Sequence, residues 1–172
     1  MKPRSKSRPD FESLVERHYT NLYRFAFSLS GSEAEASDLT QQAFYVWAEK
    51  GHQLRDASKA KTWLFTTLHR EFLKLRRRRT RFPHEELGAV EPTELPVTWP
   101  SAAARLDEKR VVAALARLDE VHRAPLALFY LQGLSYREIA QTLEIPVGTA
   151  QSRIARGKAR LHRALTRREG DA

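Results

Sequence analysis

The sequence predicts an all-α protein: two small helical domains joined by a flexible Pro/Glu-rich linker, with a C-terminal helix-turn-helix. Three observations lead there. Apolar residues recur at three- and four-residue spacing through both ends of the chain, and no segment alternates strictly with period two. Half of the eight prolines (Pro83, Pro92, Pro96 and Pro100) crowd together with Glu85, Glu86, Glu91 and Glu94 into an acidic tether between two basic blocks. Finally, residues 133–165 read as two short helices around a tight turn, the second carrying a polar, cationic face.

Composition narrows the partners. The 172 residues carry a net charge of +9, and the pI is about 10.2, which favours a polyanion. A 41% hydrophobic content supplies a core, but a divided chain leaves each half a thin one. The absence of cysteine excludes disulfide scaffolds and thiolate zinc sites. No run approaches 18 apolar residues and the N-terminus MKPRSKSRPD has no apolar signal core, so a soluble cytoplasmic chain without membrane insertion is expected. Residues 1–9 read as a disordered basic arm.

The N-terminal domain is predicted over residues 10–79. Asp10 caps a first helix whose stripe is Phe11, Leu14, Val15, His18, Leu22, Phe25, Ala26 and Leu29, and Gly31 ends it. Ser32 with Glu35 forms a capping-box pattern for a second helix with Leu39, Ala43, Val46 and Trp47 inside. Glu35, Asp38, Gln41, Gln42 and Tyr45 are left nearer its surface. After a loop, Ser58 caps a third helix over residues 59–79, with Leu64, Leu68, Phe72 and Leu75 as its core stripe. Lys59, Lys61, His69, Arg70, Lys74 and Arg76 to Arg79 make the rest basic. Trp63 and Phe65 near its start are either core or, beside so many cations, faces on which unpaired bases stack.

The linker is predicted over residues 80–103; about 20 residues at polyproline rise span ~60 Å. The C-terminal domain follows over residues 104–168. Val111, Leu115 and Leu118 form a stripe with Val112 beside it, Asp119 and Glu120 begin a turn, and Pro125 suits the first turn of the next helix. Ser135 and Glu138 match a second capping box, opening a helix with Tyr136, Ile139, Ala140 and Leu143 on one side. Pro146 separates it from a last helix with Ala150, Ile154, Leu161 and Leu165 inside. Ser152, Arg156 and Arg163 fall opposite Ile154, flanked by Thr149 and Arg160, and no Asp or Glu occurs from residue 145 to 168.

Those motifs resemble the sigma-70 family, in its extracytoplasmic-function (ECF) class. Residues 126–161, with the Gly-Leu-Ser-Tyr, Glu-Ile-Ala and Pro-Val-Gly-Thr-x-x-Ser-Arg runs, are similar to the family's fourth conserved region. Residues 19–27, then Asp38-Leu39-x-Gln-x-x-Phe44 and Thr62-Trp63-Leu64 before the basic helix, are similar to its second. The resemblance implies an alternative sigma factor that binds core RNA polymerase and directs promoter-specific initiation. Thr149, Gln151, Ser152, Arg153 and Arg156 would read the −35 element in the major groove, with Arg160 and Arg163 on phosphates. In the N-terminal domain, the loop over residues 50–60 would capture a flipped base of the −10 element, with Lys61, Trp63, Arg70 and Lys74 on the following helix. Glu35, Asp38, Gln41 and Gln42 would dock on the polymerase β′ coiled coil. The linker would run toward the RNA exit path, and a separate anti-sigma factor is a further partner.

Several positions depart from that family's pattern. Ser37 stands where an acid often precedes Asp38, which predicts a less acidic docking surface. Glu144 holds the turn position where Gly is frequent, predicting a slightly altered turn. Ala150 replaces a β-branched core residue, and Ala155 and Gly157 predict a smaller, more flexible recognition helix. Leu68-His69-Arg70 replaces a small residue, Arg and Asn, so −10 specificity does not carry over.

Other classes compete. A DNA-binding regulator that is not a polymerase subunit would footprint duplex DNA alone, and an RNA-binding helical protein would prefer single-stranded RNA. An enzyme such as a nuclease is disfavoured. His18, His52, His69, His84, His122 and His162 show no metal-ligand spacing, Glu85-Glu86 lies in a linker, and there is no glycine-rich phosphate loop. No catalytic residue, metal or cofactor is expected.

Overall fold

The computed structural model describes residues 10–82 and 110–166, and every regular element among them is helical. The expected basic arm, residues 83–109 of the expected linker and C-terminal domain, and residues 167–172 lie outside the described residues.

Helix α1 spans Phe11–Ser30. Asp10 accepts the Ser13 N–H at 3.4 Å, and Gly31 closes the helix at φ 70°, a left-handed conformation that costs glycine nothing. Leu14, Tyr19, Leu22, Phe25, Ala26 and Leu29 are buried. Phe11, expected in that stripe, is 47% exposed and meets Phe44 edge-on at 6.3 Å, because it lies in the helix's first turn. Helix α2 spans Glu33–Lys50 behind Ser32, whose hydroxyl accepts the Glu35 N–H at 3.4 Å.

The chain then turns against Trp47. A Cβ on Gly51 would lie 2.7 Å from the buried indole, so the residue is glycine for space. Helix α3 spans Ala60–Arg81, two residues past the expected end. Ser58 does not cap it. Asp56 lies two residues earlier and accepts both the Ser58 N–H at 3.0 Å and its hydroxyl at 2.6 Å, committing Ser58 to the preceding short turn.

Helix α4 covers residues 110–115 of the described chain, with Val112, Leu115 and the following Leu118 buried. Helix α5 spans Glu120–Gln132, so Pro125 is inside the helix and not in its first turn. Its missing N–H forfeits one bond, to the Val121 carbonyl. Burial of Ala124, Leu126, Ala127 and Leu128 from that same stretch outweighs the loss. Helix α6, Tyr136–Leu143, opens with a complete Ser135–Glu138 capping box, and α7 spans Val147–Thr166.

The two groups of helices share one buried cluster, α1 packing on α5 and α3 on α6. Polar contacts lock the seam. Arg123 donates to the Leu29 carbonyl at 2.8 Å, Gln132 to the Asn21 carbonyl at 3.2 Å, and Arg76 pairs with Glu120 at 3.2 Å. Among the described residues, no helix is long and apolar enough to cross a membrane.

Candidate nucleic-acid interface

The turn between α6 and α7 decides where α7 points. Glu144 sits at φ 57°, ψ 43°, and its N–H and that of Ile145 reach back to the last carbonyls of α6. Glutamate thus takes up a left-handed conformation of the kind glycine adopts most easily.

Helix α7 is seated by Ala150, Ile154, Gly157 and Leu161. Leu165, expected on this side, is 42% exposed because the buried stripe stops one turn earlier. Gly157 is a packing residue, not a source of flexibility. A Cβ there would lie 2.6 Å from Leu126 Cδ1 and 3.3 Å from His122 Cβ, so glycine lets α7 approach α5 closely. Beneath it His122 is buried, and its pKa is pushed down by that burial and by Arg160, which favours the neutral imidazole.

On the outer side, Gln151, Ser152, Arg156, Arg160 and Arg163 are exposed together with Ala155, while Thr149 and Arg153 are half-buried. Ser152 donates to the Thr149 carbonyl at 3.0 Å, a bond within its own helix. Arg160 is engaged by Asp119 at 2.5 Å, so this phosphate candidate has an acid partner within the same group of helices. The remaining face offers an amide, a hydroxyl and guanidinium groups, donors and acceptors suited to base edges and phosphates in a major groove.

Helix α3 is arranged differently. Phe65 is fully buried against Phe25 at 5.5 Å and cannot stack on a base. Trp63 is half-buried, its ring edge-on to Trp47 at 5.1 Å. Lys61 is half-buried; Lys74 is exposed and bonds Glu71 at 2.6 Å. Arg70 is exposed but grips Glu144 with two bonds, Nε to Oε2 at 2.9 Å and Nη2 to Oε1. That guanidinium holds the Glu144 carboxyl below its ordinary pKa. Next to Arg70, burial pushes the His69 imidazole down to about 4.

Helix α2 turns Asp38, Gln41, Gln42 and Tyr45 outward, and partial burial raises the Asp38 pKa, helped by the Glu35 charge. Glu35 itself pairs with Arg79 at 2.9 Å. Ser37 is buried and accepts from Gln41 at 3.2 Å, so the missing acid at this position is not missing from the exposed face.

This geometry coincides with two family matches. Residues 14–82 match Sigma-70 region 2, and residues 108–166 match Sigma-70, region 4. The chain belongs to the sigma-70 family. Within it, the relatives are ECF sigma factors. The chain is 32% identical over 167 residues to the ECF RNA polymerase sigma factor SigE of Mycolicibacterium smegmatis, covering 95% of this chain and 64% of that longer one. It is 32% identical over 145 residues to SigL of Mycobacterium tuberculosis, 83% of this chain and 81% of the relative. Among solved structures, it resembles the sigma factor RpoE in complex with the anti-sigma factor NepR from Bartonella quintana. That match has a TM-score of 0.75 at 29% identity and covers 91% and 97% of the two chains. CnrH in complex with the cytosolic domain of CnrY aligns with a TM-score of 0.66 at 26% identity, covering 94% and 89%.

Sequence reasoning missed the sigma factor's inter-module residues: Glu120, Arg123 and Glu144. A glutamate in a left-handed turn was the one local signal among them. Arg123 and Glu120 are unremarkable in sequence, because their partners lie on other helices.

Proposed function

We propose that the chain is a non-enzymatic promoter-specificity subunit that works in the cytoplasm, binding core RNA polymerase and promoter DNA. The N-terminal module, residues 10–79, binds polymerase and the −10 element. Residues 104–168 read the −35 element, and the linker over residues 80–103 sets the reach between them. The observation that carries the reading is the outer face of α7: cationic and polar, free of acids from residue 145 to 168, and set beyond a helix-turn-helix bend. Gln151, Ser152 and Arg156 would contact base edges, with Thr149 and Arg153 at the margin and Arg160 and Arg163 on phosphates.

On α2, Asp38, Gln41 and Gln42 would meet the β′ coiled coil, with Glu35 behind them on Arg79. On α3, Lys61, Trp63, Arg70 and Lys74 would hold the opened −10 strand. An anti-sigma factor is the natural regulator, in line with the solved complex of RpoE with the anti-sigma factor NepR.

The test is run-off transcription with core polymerase on genomic fragments, with start sites mapped. Specific initiation is expected; a folded chain that binds duplex DNA alone and never programmes polymerase would overturn the reading. Arg156→Ala should weaken promoter use by ~1–3 kcal/mol, through the −35 element only, with polymerase affinity unchanged. Equal loss of both would remove Arg156 from the reading face.

A further inference from the structure

Asp119 sits at the N-cap of α5, and its carbonyl starts that helix by accepting the His122 N–H at 3.0 Å and the Arg123 N–H at 2.9 Å. An aspartate in this position ordinarily turns its carboxylate back onto the next free N–H groups. Asp119 does not: its side chain makes no capping bond to α5. It reaches instead to a residue 41 positions away, Arg160 on α7, whose Nη1 donates to Oδ2 at 2.5 Å. His122 Nδ1 lies 3.9 Å from the same oxygen, outside hydrogen-bond distance, and burial and the Arg160 charge favour its neutral form. The charged partner of this carboxylate is therefore Arg160.

Helix α7 supplies no acid of its own, none occurring from residue 145 to 168, so the carboxylate at its outer face comes from α5. Arg153 and Arg156 also lie within electrostatic reach of His122, one turn on from Asp119. An acid this close to arginines assigned to DNA lowers the potential that draws phosphate. Stability does not account for it. The Asp119 and Arg160 side chains are 70% and 46% exposed, and an ion pair in that setting contributes little. Ala150, Ile154, Gly157 and Leu161 already seat α7.

We propose that Asp119 is a positioning residue for promoter binding: it holds the Arg160 guanidinium in one orientation at the edge of α7, set to meet a backbone phosphate. This rests on the reading of Arg160 as a phosphate contact. The bond engages Nη1, and a guanidinium has further N–H donors, so it can hold the carboxylate and a phosphate together. Ordering a long arginine side chain at an interface costs rotamer freedom. With Asp119 in place, part of that freedom is already lost in the free protein, and less remains to be lost at the DNA. The carboxylate is itself held steady, because the backbone that carries it is the first bonded residue of a helix.

The experiment is equilibrium binding of holoenzyme, core polymerase with the full chain, to a labelled promoter duplex taken from the start-site mapping, over a series of salt concentrations. Asp119→Asn keeps the shape and the capping ability and removes the charge. Positioning predicts binding about two- to fivefold weaker, although removing an acid beside DNA by itself tightens binding. The loss should vanish where Arg160 is already alanine, and the unfolding midpoint should match the parent chain. Binding as tight as the parent or tighter overturns the proposal. So does a loss that persists beside Arg160→Ala, or one that comes with a lowered midpoint. The underlying reading is tested by Arg160→Ala alone, which should lower the salt slope by about 1. An unchanged slope takes Arg160 off the phosphates, and the role of Asp119 falls with it. If no start site is found, promoter binding and positioning are overturned together.

Discussion

Two cationic amphipathic helices, α3 and α7, face opposite fates in one molecule. Helix α7 rests on α5 through Ala150, Ile154, Gly157 and Leu161, and its outer face opens to solvent. Helix α3 rests on α1 and α2 through Leu64, Phe65, Leu68 and Phe72, but α6 packs across its other side and acids meet its cations. Charge and periodicity alone rank the two helices as equally available to DNA. What separates them is the position of the neighbouring carboxylates: Glu120 and Glu144 reach α3 from the other module and Glu35 and Glu71 from its own, whereas Asp119 meets α7 at Arg160.

The comparison breaks most visibly at His69, on the covered helix. Its pKa falls from 6.5 to about 4, because burial disfavours the imidazolium, while the Glu144 charge works the other way. Above pH 6.5 the group is neutral folded or unfolded, and its contribution is intact. Between 6.5 and 4 the unfolded chain takes the proton and the native chain does not, so stability falls, by up to roughly 3 kcal/mol; below 4 the group adds no further loss. His18 and His122 are also pushed down and act in the same direction. Glu138 and Glu144 are pushed below 4.5, so their losses come at lower pH. Urea unfolding at pH 7 and pH 5 should therefore show a loss about 2 kcal/mol smaller for His69→Gln than for the parent chain. Identical losses would place His69 in solvent.

On the open helix, the sharpest point is Gly157. Gly157→Leu puts a side chain where even a Cβ lies 2.6 Å from Leu126. Overpacking of this kind costs ~1–3 kcal/mol, against which a better helix former returns up to ~1. The unfolding midpoint should drop and −35 reading should fail with it. An unchanged midpoint would show that α7 can lift off α5 freely.

These two helices also mark how far the sequence could be read. The outer face of α7 follows from 3.6-residue periodicity, which is local, and the capping box at Ser135 and Glu138 is a four-residue pattern that forms as written. In sequence Gly157 reads as flexibility, because its role is a distance to another helix. Phe65 reads in sequence as either core or a base-stacking face, because periodicity does not say how wide the buried stripe is; the structure makes it core. Proline's usual preference points to a helix start at Pro125, and burial of the residues around it overrides that preference. Arg70 and Glu144 are 74 residues apart, and nothing near either one encodes the pair.

A smaller effect is expected inside α6, the helix that does the covering. Thr142 is fully buried, and its hydroxyl has no hydrogen-bond partner among the described residues. Thr142→Val keeps the branched shape and removes the unpaired group, so a gain of about 1 kcal/mol is expected in thermal or urea unfolding. A loss would mean that the hydroxyl holds a bond in solution.

The smallest change in stability should come from Lys74, one helical turn beyond Arg70 on α3. Its partner Glu71 belongs to the same helix, and an exposed pair at this spacing is worth ~0.2–0.5 kcal/mol. Lys74→Ala should leave the unfolding midpoint nearly unchanged. Its effect on DNA is another matter: a lysine that neutralises a phosphate releases a counterion, and its removal lowers the salt slope of binding by about 1. The contrast with Arg70 is the useful part. Among the described residues no acid of the C-terminal module is bonded to Lys74, so in the free chain its contribution to the salt slope should not depend on whether Glu144 is present, whereas that of Arg70 should grow when Glu144 is neutralised. If both lysine and arginine respond to Glu144 alike, the influence of that carboxylate spreads along α3 and belongs to the whole seam between the modules, not to one ion pair.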